Sequence, residues 1–139
     1  MKVLVILASY NGVKYIEEQV DSILNQEGVN VTLKIFDDGS TDGTVDLVSS
    51  WKKHEQIQLT QNQIPTGSAA NNFFNALQSF EDTFLDQYDY ISFADQDDIW
   101  LPNKLKAATE RLQSGKADLY MSNLILWEEK NNKKTVINK

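Results

Sequence analysis

Continuously apolar runs alternate along this chain with longer segments in which apolar residues recur every three or four positions. The first run, Val3–Ala8, is rich in β-branched residues and has no polar interruption, which is typical of a central parallel strand covered on both faces. The predicted strands are Val3–Ala8, Val31–Phe36, Ile57–Leu59, Tyr90–Ala94 and Leu119–Trp127. Alternating strands and helices predict an α/β fold with a mostly parallel sheet flanked by helices.

The segments between these strands are predicted to be helices from their apolar spacing and their end signals. The first helix ends near Gly28, and Thr41 or Asp42 can cap the second. The third is predicted over Ala69–Phe80, and the fourth ends at Gly115. On the third helix, the residues expected to be buried are Phe73, Phe74, Ala76, Leu77 and Phe80.

Composition limits the classes of protein that this chain can represent. Its 139 residues, of which 41% are hydrophobic, predict one domain over residues 1–139. A net charge of −7 excludes nucleic acid as an expected partner, because phosphate binding needs a basic surface. The absence of cysteine excludes disulfides and thiolate metal sites. The lack of cysteine also fits a reducing compartment, so we expect a cytoplasmic protein. No apolar run approaches the roughly 18 residues of a membrane span, so we expect no transmembrane segment in this chain.

Two acidic loops stand directly after predicted strands. Asp37-Asp38-Gly39-Ser40 follows the second strand, and Asp95-Gln96-Asp97-Asp98 follows the strand at Tyr90–Ala94. Ligands of open α/β sheets bind in the crevice at the carboxyl ends of the strands, so we expect these loops to share one pocket. Hard divalent cations such as Mg²⁺ take carboxylate and phosphate oxygens, and Asp95 with Asp97 can therefore clamp a metal–diphosphate. The alternative is a solvated acidic turn that caps the following helix.

The loops after the first two strands can also hold a nucleoside. The carboxylate of Asp37 can accept the N–H of a pyrimidine base, and the ring of Tyr10 can stack on that base, which together predict a uridine or thymidine site. A structural alternative exists for Asp37, because Asp-Gly and Thr-Asp combinations build turns and helix caps without a ligand. The segment Asn62–Asn72 can face a phosphate or sugar, or can serve turn geometry alone.

Three segments together resemble the inverting family-2 glycosyltransferases, whose GT-A fold has a Rossmann-like sheet that binds nucleotide sugars. They stand in family order, and the set is specific although each segment alone is a weak signal. The segments are Ala8–Gly12, Phe36–Thr44 and Ala94–Leu105. The resemblance implies a metal-dependent glycosyltransferase that uses Mg²⁺ or Mn²⁺ and a nucleoside-diphosphate sugar.

The resemblance also implies roles for individual residues. Ala8 and Tyr10 border the base, and Asp37 binds its N–H. Asp95 lies near the ribose or the metal, and Asp97 is the principal metal ligand. These roles place the sugar donor at the carboxyl ends of the strands that precede the three segments.

The sequence around Asp95–Leu105, with Asn72-Phe73 upstream, is most similar to bacterial rhamnosyltransferases of cell-surface polysaccharides. This similarity implies dTDP-rhamnose as donor, Asn72 as a donor-binding residue, a glycan or lipid-linked acceptor, and a place at the inner face of the cell membrane. The family's catalytic base is an acidic residue well downstream of the metal motif, and no residue of this chain is assigned that role. We therefore expect residues 1–139 to be the nucleotide-sugar-binding domain of a longer enzyme.

Other functions stay open at this level. A nucleotide-sugar-binding module without turnover fits the same donor residues. A phosphoacceptor receiver domain fits the length but needs acidic residues around the first strand, which ends here in Ser9-Tyr10-Asn11. A dinucleotide-binding dehydrogenase is disfavoured, because no glycine-rich fingerprint follows that strand.

Overall fold

The computed structural model describes residues 1–51, 54–115 and 117–137, and the chain divides into two compact units, Met1–Lys106 and Ala107–Lys139. In the first unit the strands are β1 (Lys2–Ser9), β2 (Asn30–Asp37), β3 (Ile57–Gln61) and β4 (Tyr90–Asp95). Its helices are α1 (Ile16–Leu24), α2 (Thr44–Ser50), α3 (Ala69–Gln78) and α4 (Asp82–Leu85). Helix α5 (Lys104–Ser114) begins in the first unit and ends in the second.

The strands of the first unit form one parallel sheet in the order β3-β2-β1-β4. Alternate residues of β1 point to opposite faces of the sheet, as the two-residue period of a strand requires. Val3, Val5 and Leu7 pack in a core cluster with residues of α1, whereas Leu4 and Ile6 pack with residues of α3 and α4. The predicted α/β class and the doubly covered central strand are therefore confirmed.

The second unit contains a short antiparallel hairpin of β5 (Leu124–Glu128) and β6 (Lys133–Ile137). A 3₁₀ turn at Glu129–Asn131 joins the two strands. The strand predicted over Leu119–Trp127 begins only at Leu124, because Leu124 pairs with Ile137, the last residue of β6. Neither β6 nor the short helix α4 was predicted from the pattern of apolar residues.

One detail of the predicted helices is wrong. Phe74 is 65% exposed instead of buried. The buried positions of α3 are Asn72 and Ala76, and Phe74 is two residues, or about 200° of helix rotation, from each. Of the two residues predicted to cap α2, Asp42 bonds its first turn, because Asp42 Oδ1 accepts the N–H of Thr44 at 3.0 Å. Gly43 between them is the N-cap residue, with a φ of 94°. Within the described part of the chain, no helix is both long and apolar enough to cross a bilayer.

Candidate functional site

The carboxyl ends of three adjacent strands meet at one edge of the parallel sheet. In the register of the sheet, Ser9 at the end of β1 pairs with Asp37 at the end of β2, and Ala8 pairs with Asp95 at the end of β4. A pocket of about 330 Å³ opens at this edge. Its lining comprises Ala8, Ser9, Tyr10, Asp38, Pro65, Gly67, Ser68, Ala69, Asn72, Asp95, Gln96 and Asp97.

Most of the site residues named from the sequence line this pocket. They are Ala8, Tyr10, Asn72, Asp95 and Asp97. Asp37 is not part of the lining. The structure therefore brings together the residues expected at the base and at the metal, and it places Asp37 behind them.

The side chain of Asp37 is buried, with 1% of its surface exposed. Its Oδ1 accepts the N–H groups of Gly39 at 3.1 Å and Ser40 at 2.8 Å. Its Oδ2 accepts the hydroxyls of Ser9 at 2.9 Å and Ser40 at 2.5 Å. These four bonds hold the turn after β2 against the end of β1, and a role for Asp37 in recognising the base stays a prediction.

Asp38, the next residue, lines the pocket and orders the loop before α3. Its Oδ1 accepts the Asn62 amide at 2.9 Å and the N–H of Thr66 at 2.7 Å, and its Oδ2 accepts the N–H of Gly67 at 3.0 Å. Burial raises the pKa of Asp38, but the hydrogen bonds from Thr66, Asn62 and Gly67 outweigh it and leave the pKa below its ordinary value. The carboxylate is therefore ionised at neutral pH and acts as an anchor for this loop.

Asn72 joins the same loop to the sheet from its position in α3. Its side-chain amide donates to the carbonyl of Phe36 at 2.8 Å, and its Oδ1 accepts the amide of Asn62 at 2.9 Å. Asn72 is 1% exposed, so it lines the pocket with a side chain whose two polar atoms already have protein partners. The role of Asn72 in binding the sugar donor stays a prediction.

The acidic loop after β4 lines the pocket with Asp95 and Asp97, while its backbone is held by residues of α1 and of the segment just after that helix. Asp95 and Asp97 are both exposed. Behind them, the buried amide of Gln19 donates to the carbonyl of Asp95 at 2.9 Å. Ser22 Oγ accepts the N–H of Trp100 at 3.0 Å. Further along the loop, Gln26 donates to the carbonyl of Leu101 and accepts the N–H of Leu105.

The oxygen ligands of this loop suit a hard divalent cation. Mg²⁺ and similar ions are often held by one or two carboxylates together with the phosphates of the substrate, and Asp95 and Asp97 supply such a pair. Within residues 1–51, 54–115 and 117–137, no group of three or more His, Cys, Asp or Glu side chains is placed to hold a metal by itself. These two carboxylates therefore suit a cation whose remaining ligands are oxygens of the substrate.

Several residues that shape the site were missed in the sequence. Asp38 was read as part of an acidic loop without a role of its own, and Gln96 as the spacer between two carboxylates. Gln19, Ser22 and Gln26 carried a signal that could have been found, because they are polar residues three and four positions apart in and just after a helix whose buried residues include Ile16 and Ile23.

Comparison with known proteins identifies the family. The model described as "Glycosyl transferase family 2" matches residues 4–138. The chain belongs to glycosyl transferase family 2. The resemblance seen in the three sequence segments is thereby confirmed.

Similar proteins agree with this family assignment. The dTDP-rhamnosyl transferase RfbG of Shigella flexneri is 39% identical over 129 residues, which are 87% of this chain and 42% of that protein. S. aureus TarS 1-349 in complex with UDP-GlcNAc superposes with a TM-score of 0.68 at 27% identity over 82% of this chain and 32% of that chain. The mannosyltransferase PcManGT from Pyrobaculum calidifontis, in complex with GDP-Man and Mn²⁺, gives a TM-score of 0.64 at 26% identity over 78% of this chain and 31% of that chain. The family-2 chain thus spans less than half the length of each.

Proposed function

We propose that this family-2 chain binds the sugar donor of a bacterial glycosyltransferase that builds a surface polysaccharide. The donor is a pyrimidine nucleoside-diphosphate sugar bound in the pocket at the carboxyl ends of β1 and β4. The observation that carries this proposal is the meeting of Ala8 and Tyr10 with Asp95 and Asp97 in one pocket of about 330 Å³. A pocket of this size is within the range of small-molecule sites.

Different residues of the pocket are proposed to bind different parts of the donor. Tyr10, which is more than half exposed, would offer its ring to stack on the base beside Ala8, and Asp37 stays the predicted acceptor for the base N–H. Asp95 and Asp97 would hold Mg²⁺ or Mn²⁺ at the diphosphate. When bound, such a cation neutralises charge on the departing nucleoside diphosphate. Without a cation, the two carboxylates repel the diphosphate.

The finer identity of the donor rests on similarity. RfbG is named a dTDP-rhamnosyl transferase, and at 39% identity it supports dTDP-rhamnose. TarS with UDP-GlcNAc supports a uridine donor instead. Either donor carries a pyrimidine base with an N–H. In the proposed reaction, an acceptor hydroxyl on a glycan or lipid-linked sugar loses its proton to a base and attacks the anomeric carbon from the face opposite the nucleotide. The bond from this carbon to the nucleoside diphosphate breaks, the diphosphate leaves with the electron pair, and the configuration inverts. A lipid-linked acceptor would place the site at the inner face of the cell membrane.

Calorimetry with UDP and dTDP tests donor binding and metal dependence together. We expect binding with Mg²⁺ or Mn²⁺ that is lost on chelation, and Asp97→Asn is expected to remove the metal-dependent part. Asp21→Asn is the matched control, because it removes the same charge at an exposed position of α1. Equal affinity with metal and with chelator would contradict the metal site. Absence of binding to either nucleotide would contradict the proposed function.

A nucleotide-sugar-binding module without turnover is the second candidate, because donor residues are assigned here and no catalytic base is. Incubating the purified chain with radiolabelled dTDP-rhamnose and lipid-linked acceptors separates the two. Positioned proton transfer contributes about 10²- to 10⁴-fold in rate, so we expect binding with slow or no transfer. Rapid multiple turnover would show that the base lies within these residues.

A further inference from the structure

The side chain of Gln96 connects the loop after β4 to the loop after β1. Its Oε1 accepts the N–H of Tyr10 at 2.8 Å, and its Nε2 donates to the carbonyl of the same residue at 2.8 Å. The last paired residues of these strands are Ala8 and Asp95. The amide of Gln96 thus binds both backbone polar groups of Tyr10, beyond the point where the two strands stop pairing.

Gly12 makes room for this connection. A Cβ on Gly12 would lie 2.2 Å from Oε1 and 2.6 Å from Cδ of Gln96, distances that real Cβ atoms do not show. The φ of Gly12 is not positive, unlike those of Gly39, Gly43 and Gly67. Glycine is therefore needed at this position for space and not for its backbone conformation.

The connection bears on the position of the Tyr10 ring. Tyr10 as a whole is 58% exposed, so burial of the side chain does little to fix its ring. Gln96 itself stands between Asp95 and Asp97, and all four side chains line the same pocket. One side chain thus holds the backbone of the expected base-stacking residue and belongs to the loop that carries the expected metal ligands.

We propose that Gln96 is a positioning residue that fixes the Tyr10 ring relative to Asp95 and Asp97 before the nucleotide binds. The inference rests on the proposed function, in which a pyrimidine nucleoside diphosphate spans these two groups. A preorganised pocket binds more tightly because the loops lose less freedom on binding. The effect of Gln96 on affinity therefore passes through Tyr10.

The first test measures the connection in the ligand-free chain by NMR hydrogen exchange at the Tyr10 amide. Loss of two neutral hydrogen bonds in Gln96→Ala is expected to speed this exchange about 5- to 30-fold. The amide of Gly12, which donates to Thr44 Oγ1 at 2.9 Å, reports whether the rest of the loop is intact. Gln87→Ala is the matched control, because it makes the same truncation at an exposed site. Unchanged exchange at Tyr10 would overturn the inference.

The second test is a double-mutant cycle on the affinity for UDP or dTDP with Mn²⁺. Gln96→Ala is expected to weaken binding about 5- to 30-fold when Tyr10 is present, and less than about twofold in a Tyr10→Ala background. Equal effects in both backgrounds would show that Gln96 acts directly on the ligand, and would overturn the positioning role.

Gly12→Ala supplies an independent variant that displaces Gln96 without removing it. It is expected to weaken binding as Gln96→Ala does and to add nothing when the two substitutions are combined. Additive losses in the combined variant would contradict the inference. If the unaltered chain binds neither UDP nor dTDP, the proposed function is wrong, whereas the exchange experiment still decides whether Gln96 holds Tyr10.

Discussion

The buried carboxylate of Asp37 gives a prediction that separates a structural role from base recognition. Asp37→Asn keeps the shape of the side chain, and its remaining oxygen can still accept the N–H groups of Gly39 and Ser40. The new amide meets the hydroxyls of Ser9 and Ser40, which must turn to accept from it. Hydrogen bonds to charged groups are worth about 1.5–3 kcal/mol and neutral ones about 0.5–1.5 kcal/mol.

The free energy of unfolding is therefore expected to fall measurably in Asp37→Asn. A loss of about 1 kcal/mol for each of the two backbone bonds gives about 2 kcal/mol, and up to about 4 kcal/mol if both hydroxyl bonds weaken equally. Urea unfolding at neutral pH measures this change, with the midpoint shifting at constant slope. A loss below about 0.5 kcal/mol, within the usual range of surface substitutions, would refute the four-bond account.

The comparison needs a variant with the same change of charge, and Asp21→Asn supplies it at an exposed position in α1. Its free energy of unfolding is expected to change by less than about 0.5 kcal/mol. Uridine and thymidine affinities of the folded Asp37→Asn protein then address the second role. If they equal those of the unaltered chain, the prediction that Asp37 binds the base N–H is wrong.

Three further changes have expected outcomes. The folded pKa of Asp38 lies below its unfolded value of about 3.9, so its contribution to stability is complete above that pH and is lost as the pH falls through the folded pKa. Urea unfolding measures the free energy of unfolding of the unaltered chain and of Asp38→Asn from pH 7 to pH 3. The difference between these two free energies should shrink as the pH falls, and a difference that grows would contradict this. Gly67→Ala should cost about 1–2 kcal/mol in thermal or urea unfolding, because its φ of 84° disfavours a Cβ, whereas Gly67→Asn should cost less. Gln19→Met should cost about 1–3 kcal/mol by leaving the Asp95 carbonyl without its partner, and it should weaken Mn²⁺-dependent UDP binding in calorimetry; unchanged stability would contradict the anchoring role.

Much of the fold could be predicted from the sequence because the apolar pattern has a physical period. The unbroken run of β1 needs cover on both faces, and the structure provides it. Phe74 was wrongly predicted to be buried, because the buried face of α3 is narrower than the spacing of its apolar residues indicated. Strand β6 was missed because its residues are exposed, so burial left no alternation of apolar and polar positions to detect. Strand β5 was predicted, but with its start at Leu119 instead of Leu124.

The sequence was enough to predict which loops form the site. It was not enough to predict which side chains face the pocket or which atoms they bond. Strand ends with acidic loops predicted a shared pocket, and Asp95 and Asp97 line it. Which of Asp37 and Asp38 faces the pocket depends on the path of the chain after β2, where Gly39 has a φ of 91°. A side chain that bonds a backbone far along the chain, such as Gln96 on Tyr10, has no signature in composition or spacing.

The contacts made by α1 and the segment just after it have a consequence for redesign of the proposed donor site. Gln19, Ser22 and Gln26 fasten the backbone of the loop that follows β4, and none of the three lines the pocket. The segment before α3 is fastened separately, through Asp38 and Asn72. These two parts of the pocket wall are thus fastened through different side chains, and the end of β1 forms a third part. Under the proposed function, residues 63–71 can be exchanged for the corresponding segment of a relative, between Asn62 and Asn72, while the loop that carries Asp95 and Asp97 keeps its support.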